Sequence, residues 1–196
     1  MNSKSHHSCL EKKDAIEQVR HWLQTVVIGL NLCPFASVPF KQDKIRYVEC
    51  SESSEPLMLQ ALVDECQFLE GDSSIETSLL VLTGALDDFF SYNQFLGLCD
   101  DVIESYGWEG QFQIASFHPD YFFADVPTDC VSNWTNRAPF PVLHILREIS
   151  LEKALDNYPD ADSIPDRNIE KMRSLSIEEQ RKLFPYLFSS SDSIPT

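Results

Sequence analysis

The chain has 196 residues and carries 31 Asp and Glu against 15 Lys and Arg, a formal charge of -16 at pH 7. A chain of this length suits one domain with a sizeable core, and so acidic a balance argues against a non-specific nucleic-acid binder or a protein lying on anionic lipid, since both need a positive face. The excess is confined to one stretch: no Lys or Arg occurs from Tyr47 to Asn136, so any anion recognition falls to residues outside it.

Residues 1–12 read as a flexible polar arm, 13–188 as a single domain and 189–196 as a disordered Ser-rich tail. Asp14 with Glu17 has the pattern of a capping box, and Ile16, Val19, Leu23, Val26, Val27 and Leu30 form the apolar stripe of a first helix. Asn31 tolerates the left-handed conformation that ends a helix, and Pro34 prevents continuation. Lys44 to Cys50 reads as a strand. Pro56 to Gly71 reads as a second helix with Met58, Leu62, Cys66 and Leu69 on one face. Thr77 to Thr83 is an apolar run expected of a strand covered on both faces. A third helix from about Leu86 to Tyr106 and a strand from Gln111 to Phe117 follow. This alternation predicts an α/β fold with a small, largely parallel or mixed sheet of three to four strands, helices packed on it and a helical C-terminal third; an antiparallel ferredoxin-like sheet stays open.

After the third strand comes a long connection, His118 to Trp134, of the kind that is functional or disordered. Asn136-Arg137-Ala138-Pro139 then predicts the start of a helix carrying Leu143, Leu146 and Ile149. Ser163 with Pro165 begins another helix, and Ser176 with Glu179 is a capping box for the last.

There is no G-x-G-x-x-G and no G-x-x-x-x-G-K-[ST], which removes the standard dinucleotide fold and the P-loop NTPases. The N-terminus lacks an apolar targeting core, and no apolar run approaches the roughly 20 residues that span a bilayer. The expectation is a soluble, cytoplasmic protein. Its six cysteines show no C-x-x-C pair and read as reduced thiols, mostly small buried hydrophobes.

Three constellations carry candidate chemistry. His118, in His118-Pro119-Asp120, follows a strand at the carboxyl edge of a parallel sheet, where ligands of open α/β sheets bind; it could equally hydrogen-bond the loop and serve only as a strand-end anchor. A helix starting at Asn136 would aim free N–H groups at an anion, with Arg137 adding a planar fork and His144, Arg147 and Glu148 sharing one side. The plainer reading is an exposed helix surface with a solvated His. Cys33, in Leu32-Cys33-Pro34, would act as a nucleophile only beside an imidazole, supplied by His118 or His144 with Asn136 orienting it; otherwise it is a buried structural thiol. His118-x-Asp120 with His144 has the residue types of a two-His, one-carboxylate iron site but lacks the barrel scaffold such sites use, so no metal is expected.

Asn31-Leu32-Cys33-Pro34-Phe35, Phe117-His118-Pro119 and Asn136-Arg137-Ala138-Pro139-Phe140-Pro141, followed by Leu143-His144 and Leu146-Arg147-Glu148, together resemble a chiefly bacterial family of unknown function, DUF1415. The likeness runs from the first helix to about Met172 and includes Ile164-Pro165 and Arg167-Asn168. It implies that Cys33, His118, Asn136, Arg137, His144 and Arg147 occupy motif positions of that family, and it brings no established reaction with it.

The leading expectation is an enzyme acting on a small anionic metabolite, phosphate or carboxylate. Asn136, Arg137 and Arg147, with Arg167 in reserve, would hold the anion, His118 or His144 would move a proton, and Cys33 would serve as nucleophile. The alternative is a non-catalytic module whose acidic middle meets a basic protein partner. A third reading is redox sensing through Cys33. The residues name no cofactor and fix no oligomeric state.

Overall fold

A computed structural model describes residues 7–156 and 158–188, with side chains from Ala15 onward. Residues 1–6 of the expected N-terminal arm and all of the Ser-rich tail fall outside these residues, as does the side chain of Asp14 with its expected cap, whereas 7–12 of that arm are helical. Helix α1 spans His7–Trp22, starting upstream of the expected Asp14, and continues without a break into a π-helical segment, Leu23–Ile28. Its wider turns show in the bonds from the Gly29 N–H to the Gln24 carbonyl and from the Leu32 N–H to the Val27 carbonyl, each skipping back five residues. Asn31 then takes a φ of 55°, the left-handed stop expected of it.

The remaining elements are α2 (Ser37–Lys41), β1 (Ile45–Cys50), α3 (Glu55–Gly71), β2 (Thr77–Leu82), α4 (Phe89–Ser105), β3 (Phe112–Phe117), β4 (Val142–Arg147), α5 (Glu148–Asp156), α6 (Ile164–Ser174) and α7 (Ile177–Leu183). Ser176 and Glu179 form the expected reciprocal capping box on α7. The sheet is mixed, in the order β1-β2-β4-β3. β1 and β2 are parallel, whereas β4 runs antiparallel to both β2 and β3 and separates them.

The segment Val142–Arg147 corrects the sequence reading. It is a strand, preceded by a 3-10 turn over Val131–Asn136, so no helix begins at Asn136. Leu143, Leu146 and Ile149 lie at helical spacing, but Val142, Leu143 and Ile145 are all buried because β4 is covered on both faces. That removes the alternation by which a half-exposed strand announces itself. Pro139 and Pro141 lie in a bent, irregular approach to the strand and seed no first helical turn.

The sheet divides the core into two layers. Leu80, Leu82, Leu143, Ile145 and Phe112 face α3 and α4, where they meet Met58, Leu62, Cys66, Tyr92, Phe95 and Cys99. Leu79, Val81, Val142 and Ile45 face Val19, Trp22, Leu23 and Val26, and the C-terminal helices close this side with Met172, Leu175 and Phe184. β2 is buried at every position, as expected for a strand covered on both faces.

Two local features pin β1 to β2. Gly84 leaves β2 so close to the β1 exit that an added Cβ would sit 2.3 Å from the Ser51 carbonyl oxygen, so only glycine fits. At the other end Glu65 of α3, 4% exposed, takes hydrogen bonds from Arg46 Nε at 2.9 Å and Nη2 at 3.1 Å and another at 2.6 Å from Ser78 Oγ. Arg46 in turn lies 4.1 Å over the Phe68 ring. This buried carboxylate fastens β1, β2 and α3 at one point. Glu65→Ala strands the Ser78 hydroxyl and leaves the Arg46 guanidinium without its counter-ion; the expected loss is about 2–4 kcal/mol. Urea unfolding of the two proteins measures it, and a loss below about 0.5 kcal/mol would show that the pair contributes nothing.

Candidate functional site

β1, β2 and β3 end at one edge of the sheet, and the 118–141 connection crosses that edge. His118, with no exposed surface, anchors it. Its Nδ1 accepts the Asp120 N–H at 3.0 Å, which makes Nε2 the protonated nitrogen, donating to the Leu86 carbonyl at 3.0 Å. Leu86 has a φ of 66°, a left-handed conformation unfavourable for a leucine, and the His118 bond holds it there. Burial lowers the His118 pKa. With both nitrogens engaged, this imidazole works as a fastener.

Asn136 and Arg137 complete the tie. Asn136 Nδ2 donates to the Ser116 carbonyl and its own carbonyl accepts the His118 N–H. Arg137 Nε donates to the Tyr121 carbonyl and Nη2 to the Thr128 carbonyl at 2.7 Å. Asn133, fully buried and not singled out by the sequence, accepts the Phe123 N–H and donates to the Pro127 carbonyl. Arg147 has a similar task at the opposite edge, where its guanidinium donates to the carbonyls of Leu69, Asp72 and Ile75 around the end of α3.

Cys33 and His144 lie elsewhere, in the wall of one cavity of about 360 Å³ between the sheet, the π-helical segment, α2 and α5. The lining is apolar for the most part: Trp22, Val27, Phe35, Leu79, Phe117 and Leu146 contribute to it, and Lys44 and Glu76 are its charged members beside Arg147. His144 sits in the middle of the sheet, opposite Leu79 on one side and Ala115 on the other. Its Nε2 is buried without a hydrogen-bond partner, as is Nε1 of Trp22. The Trp22, Phe117 and His144 rings form a row with centroid separations of 5.1 and 6.3 Å. Burial pushes the His144 imidazole down to about 4, so it is neutral at pH 7.

The turn bearing Cys33 is held from the C-terminal region. Asn168 Nδ2 donates to the Leu32 carbonyl at 2.8 Å, Tyr158 packs edge-on against Phe35, and Arg167 donates to the Tyr158 hydroxyl. Arg167 and Asn168 therefore position the Cys33 turn. Burial raises the Cys33 thiol above its ordinary value, outweighing the lowering by the Phe35 and Ala36 N–H groups. Cys66 and Cys99 are pushed up to about 12 by burial. Cys130 is the thiol held low, by its contact with the Ser132 hydroxyl at 3.0 Å.

Of the residues singled out in the sequence, the fold thus brings together Cys33 and His144, with Arg147 at the margin, and sets His118, Asn136 and Arg137 apart in the edge connection. Arg137 borders a second cleft, with Asp87, Asp88, Asp120, Asp129 and the rings of Phe89, Phe90 and Phe122. Trp22 was hidden in the first helix, where an indole reads as core. The π-helical turn that accompanies the cavity leaves no mark in residue types. Among the described residues no cluster of three or more His, Cys, Asp and Glu could hold a metal ion, and no helix is long and apolar enough to cross a membrane.

No curated protein and no solved structure shows a match to the chain. One family model does, that of a protein of unknown function, DUF1415, over residues 14–182. That span takes in the cavity lining, the edge connection and the residues that hold the Cys33 turn, and the chain belongs to the DUF1415 family.

Proposed function

We propose that the chain is an enzyme acting on a small, predominantly apolar molecule in the Cys33–His144 cavity. The observation that carries this reading is the His144 imidazole, neutral and with a buried Nε2 that has no hydrogen-bond partner, in the wall it shares with Cys33 of an apolar cavity wide enough for a ligand. Buried polar groups normally find partners, and those that do not mark a strained or working position. Support for an anionic substrate is weaker, because no helix N-terminus lies at Asn136 and the guanidinium groups of Arg137 and Arg147 already donate to carbonyls. The substrate class accordingly moves from anion to apolar.

In the acyl-transfer form of this chemistry Cys33 is the nucleophile. Its raised pKa means that no resting thiolate is on hand, so the thiol proton passes to His144 as sulfur attacks the acyl carbon. The ester C–O bond breaks, the alcohol leaves with that proton, and water then cleaves the thioester to release the acid and restore the thiol. Hydrolysis of 4-nitrophenyl esters of short-chain acids tests this. His144→Ala and Cys33→Ala are each expected to lower kcat/KM by about 10²–10⁴-fold. Folded variants that keep wild-type turnover would overturn the assignment.

Neutrality of His144 also has a signature in stability. The folded chain leaves this imidazole unprotonated down to about pH 4, whereas the unfolded chain takes up a proton below 6.5. The unfolded state binds more protons, so stability is full above 6.5, falls with falling pH and has lost its whole share near 4. That share is at most about 3 kcal/mol. His118, also lowered by burial, acts in the same direction. Urea midpoints of wild type between pH 7 and 4.5 are expected to fall more steeply than those of His144→Gln; parallel curves would show that His144 is not buried neutral.

A second reading is favoured by the cleft beside Arg137, where four aspartates face one arginine and Phe90 is 67% exposed. Carboxylates with an open aromatic face suit a cationic side chain of a basic protein partner. Phe90→Ala, which leaves the charge unchanged, is expected to weaken binding of an Arg-rich peptide by about threefold or more. Equal affinity for wild type and variant would leave only non-specific charge attraction.

A further inference from the structure

Helix α5 stands between the Cys33–His144 cavity and solvent. Ser150, Leu151 and Ala154 line the cavity from one face of the helix, while Ile149, Glu152, Leu155 and Asp156 are exposed on the others. No residue of α5 is buried, because its inner face looks onto the cavity rather than onto core side chains. The helix has nine residues, fewer than the ~12–15 at which a helix begins to hold itself in water, so it depends on packing that the cavity withholds. An element with so few buried apolar contacts belongs to the low end of local stability.

Its two ends are held differently. At the start, Arg147 donates to the Leu69, Asp72 and Ile75 carbonyls and the Glu148 N–H to the Gln111 carbonyl at 3.0 Å, so the junction with β4 is fixed. Beyond the far end, the Tyr158 N–H closes on the Leu155 carbonyl at 2.9 Å and the Tyr158 ring meets Phe35 edge-on at 5.6 Å. Phe35 lines the cavity from the Cys33 turn, close in sequence to Val38, a lining residue that is 59% exposed and so marks the mouth. Arg167 steadies Tyr158, donating to its hydroxyl at 3.1 Å and lying 5.5 Å from its ring centre.

We infer that α5 is a lid on the cavity, pivoting at Arg147–Glu148 and latched by Tyr158 against Phe35, and that a ligand enters when this latch parts. The lid rests on the cavity reading above for what it admits. An edge-on aromatic pair biases such an opening by about two- to tenfold, enough to restrain the helix and too little to seal it.

Labelling of the full chain with N-phenylmaleimide, followed thiol by thiol through peptide mass spectrometry, tests the lid without calling on any reaction. Cys33 reports on the cavity, and Cys66, in the layer against α3 and α4, reports on global unfolding. Tyr158→Ala is expected to speed Cys33 labelling about two- to tenfold and leave Cys66 unchanged, whereas Tyr158→Phe, which keeps the ring, is expected to stay within about twofold of wild type. A Cys33 rate that is unmoved by Tyr158→Ala, that rises only in step with Cys66, or that rises equally in Tyr158→Phe would overturn the latch. Wild type decides the matter even if Tyr158→Ala does not fold. Below the unfolding transition, urea is expected to raise Cys33 labelling far less steeply than Cys66 labelling, since lifting one helix exposes less surface than unfolding the chain. Equal slopes would overturn the lid. Either failure leaves the enzyme reading standing, while latched labelling without ester turnover would uphold the lid and remove only the reaction.

Discussion

The structure turns on one topological constraint: the chain leaves the sheet at the end of β3 and must re-enter it at the same edge as β4, between two strands that both run the other way. No α-helix spans this return, which holds only the 3-10 turn over Val131–Asn136. The 118–141 connection therefore has to satisfy its own backbone polar groups against the sheet, and side chains are recruited to do so. His118, Asn133, Asn136 and Arg137 meet carbonyls and N–H groups along it, and Tyr186 from the C-terminal region closes on the Arg137 carbonyl at 3.0 Å. The residues whose types most suggest acid–base or anion chemistry are the ones that make the antiparallel return feasible.

Everything described at the cavity depends on that return. With β4 in place, His144 occupies the interior of the sheet rather than the flank of a helix, and neighbouring strands cover it on two sides. Buried side chains fix β4 itself: Tyr92 donates to the Val142 carbonyl at 2.8 Å and Thr77 to the Ile145 carbonyl at 2.6 Å. A side chain so placed has few rotational choices. Its ring orientation is set by the sheet, which is the kind of rigid support that a working group requires.

Much of the fold is legible in the residues. The capping box at Ser176, the apolar run from Thr77 and the left-handed stop at Asn31 each have local physical causes, and each stands where local reasoning places it. β4 does not, because a strand buried on both faces has no alternation to display and passes directly into α5 at Glu148 with no turn between them. The candidate site is legible only in its residue types. Cys33 and His144 are visible as chemistry-bearing residues, but their common cavity depends on strand order, and the engaged nitrogens of His118 depend on Leu86, 32 positions away. Long-range pairing of this sort has no local signature.

The π-helical segment between Trp22 and Gly29 amounts to a helix with one residue more than an α-helical path would use. Removing a single residue there would rewind the segment to α-helix and rotate everything upstream by about 100° relative to the downstream turn. Trp22 would swing away from Phe117, while the Cys33 turn would keep its Asn168 tether. The placement of Trp22 against Phe117 in the cavity wall thus depends on the phase between two halves of one helix, a property of segment length as well as of residue type.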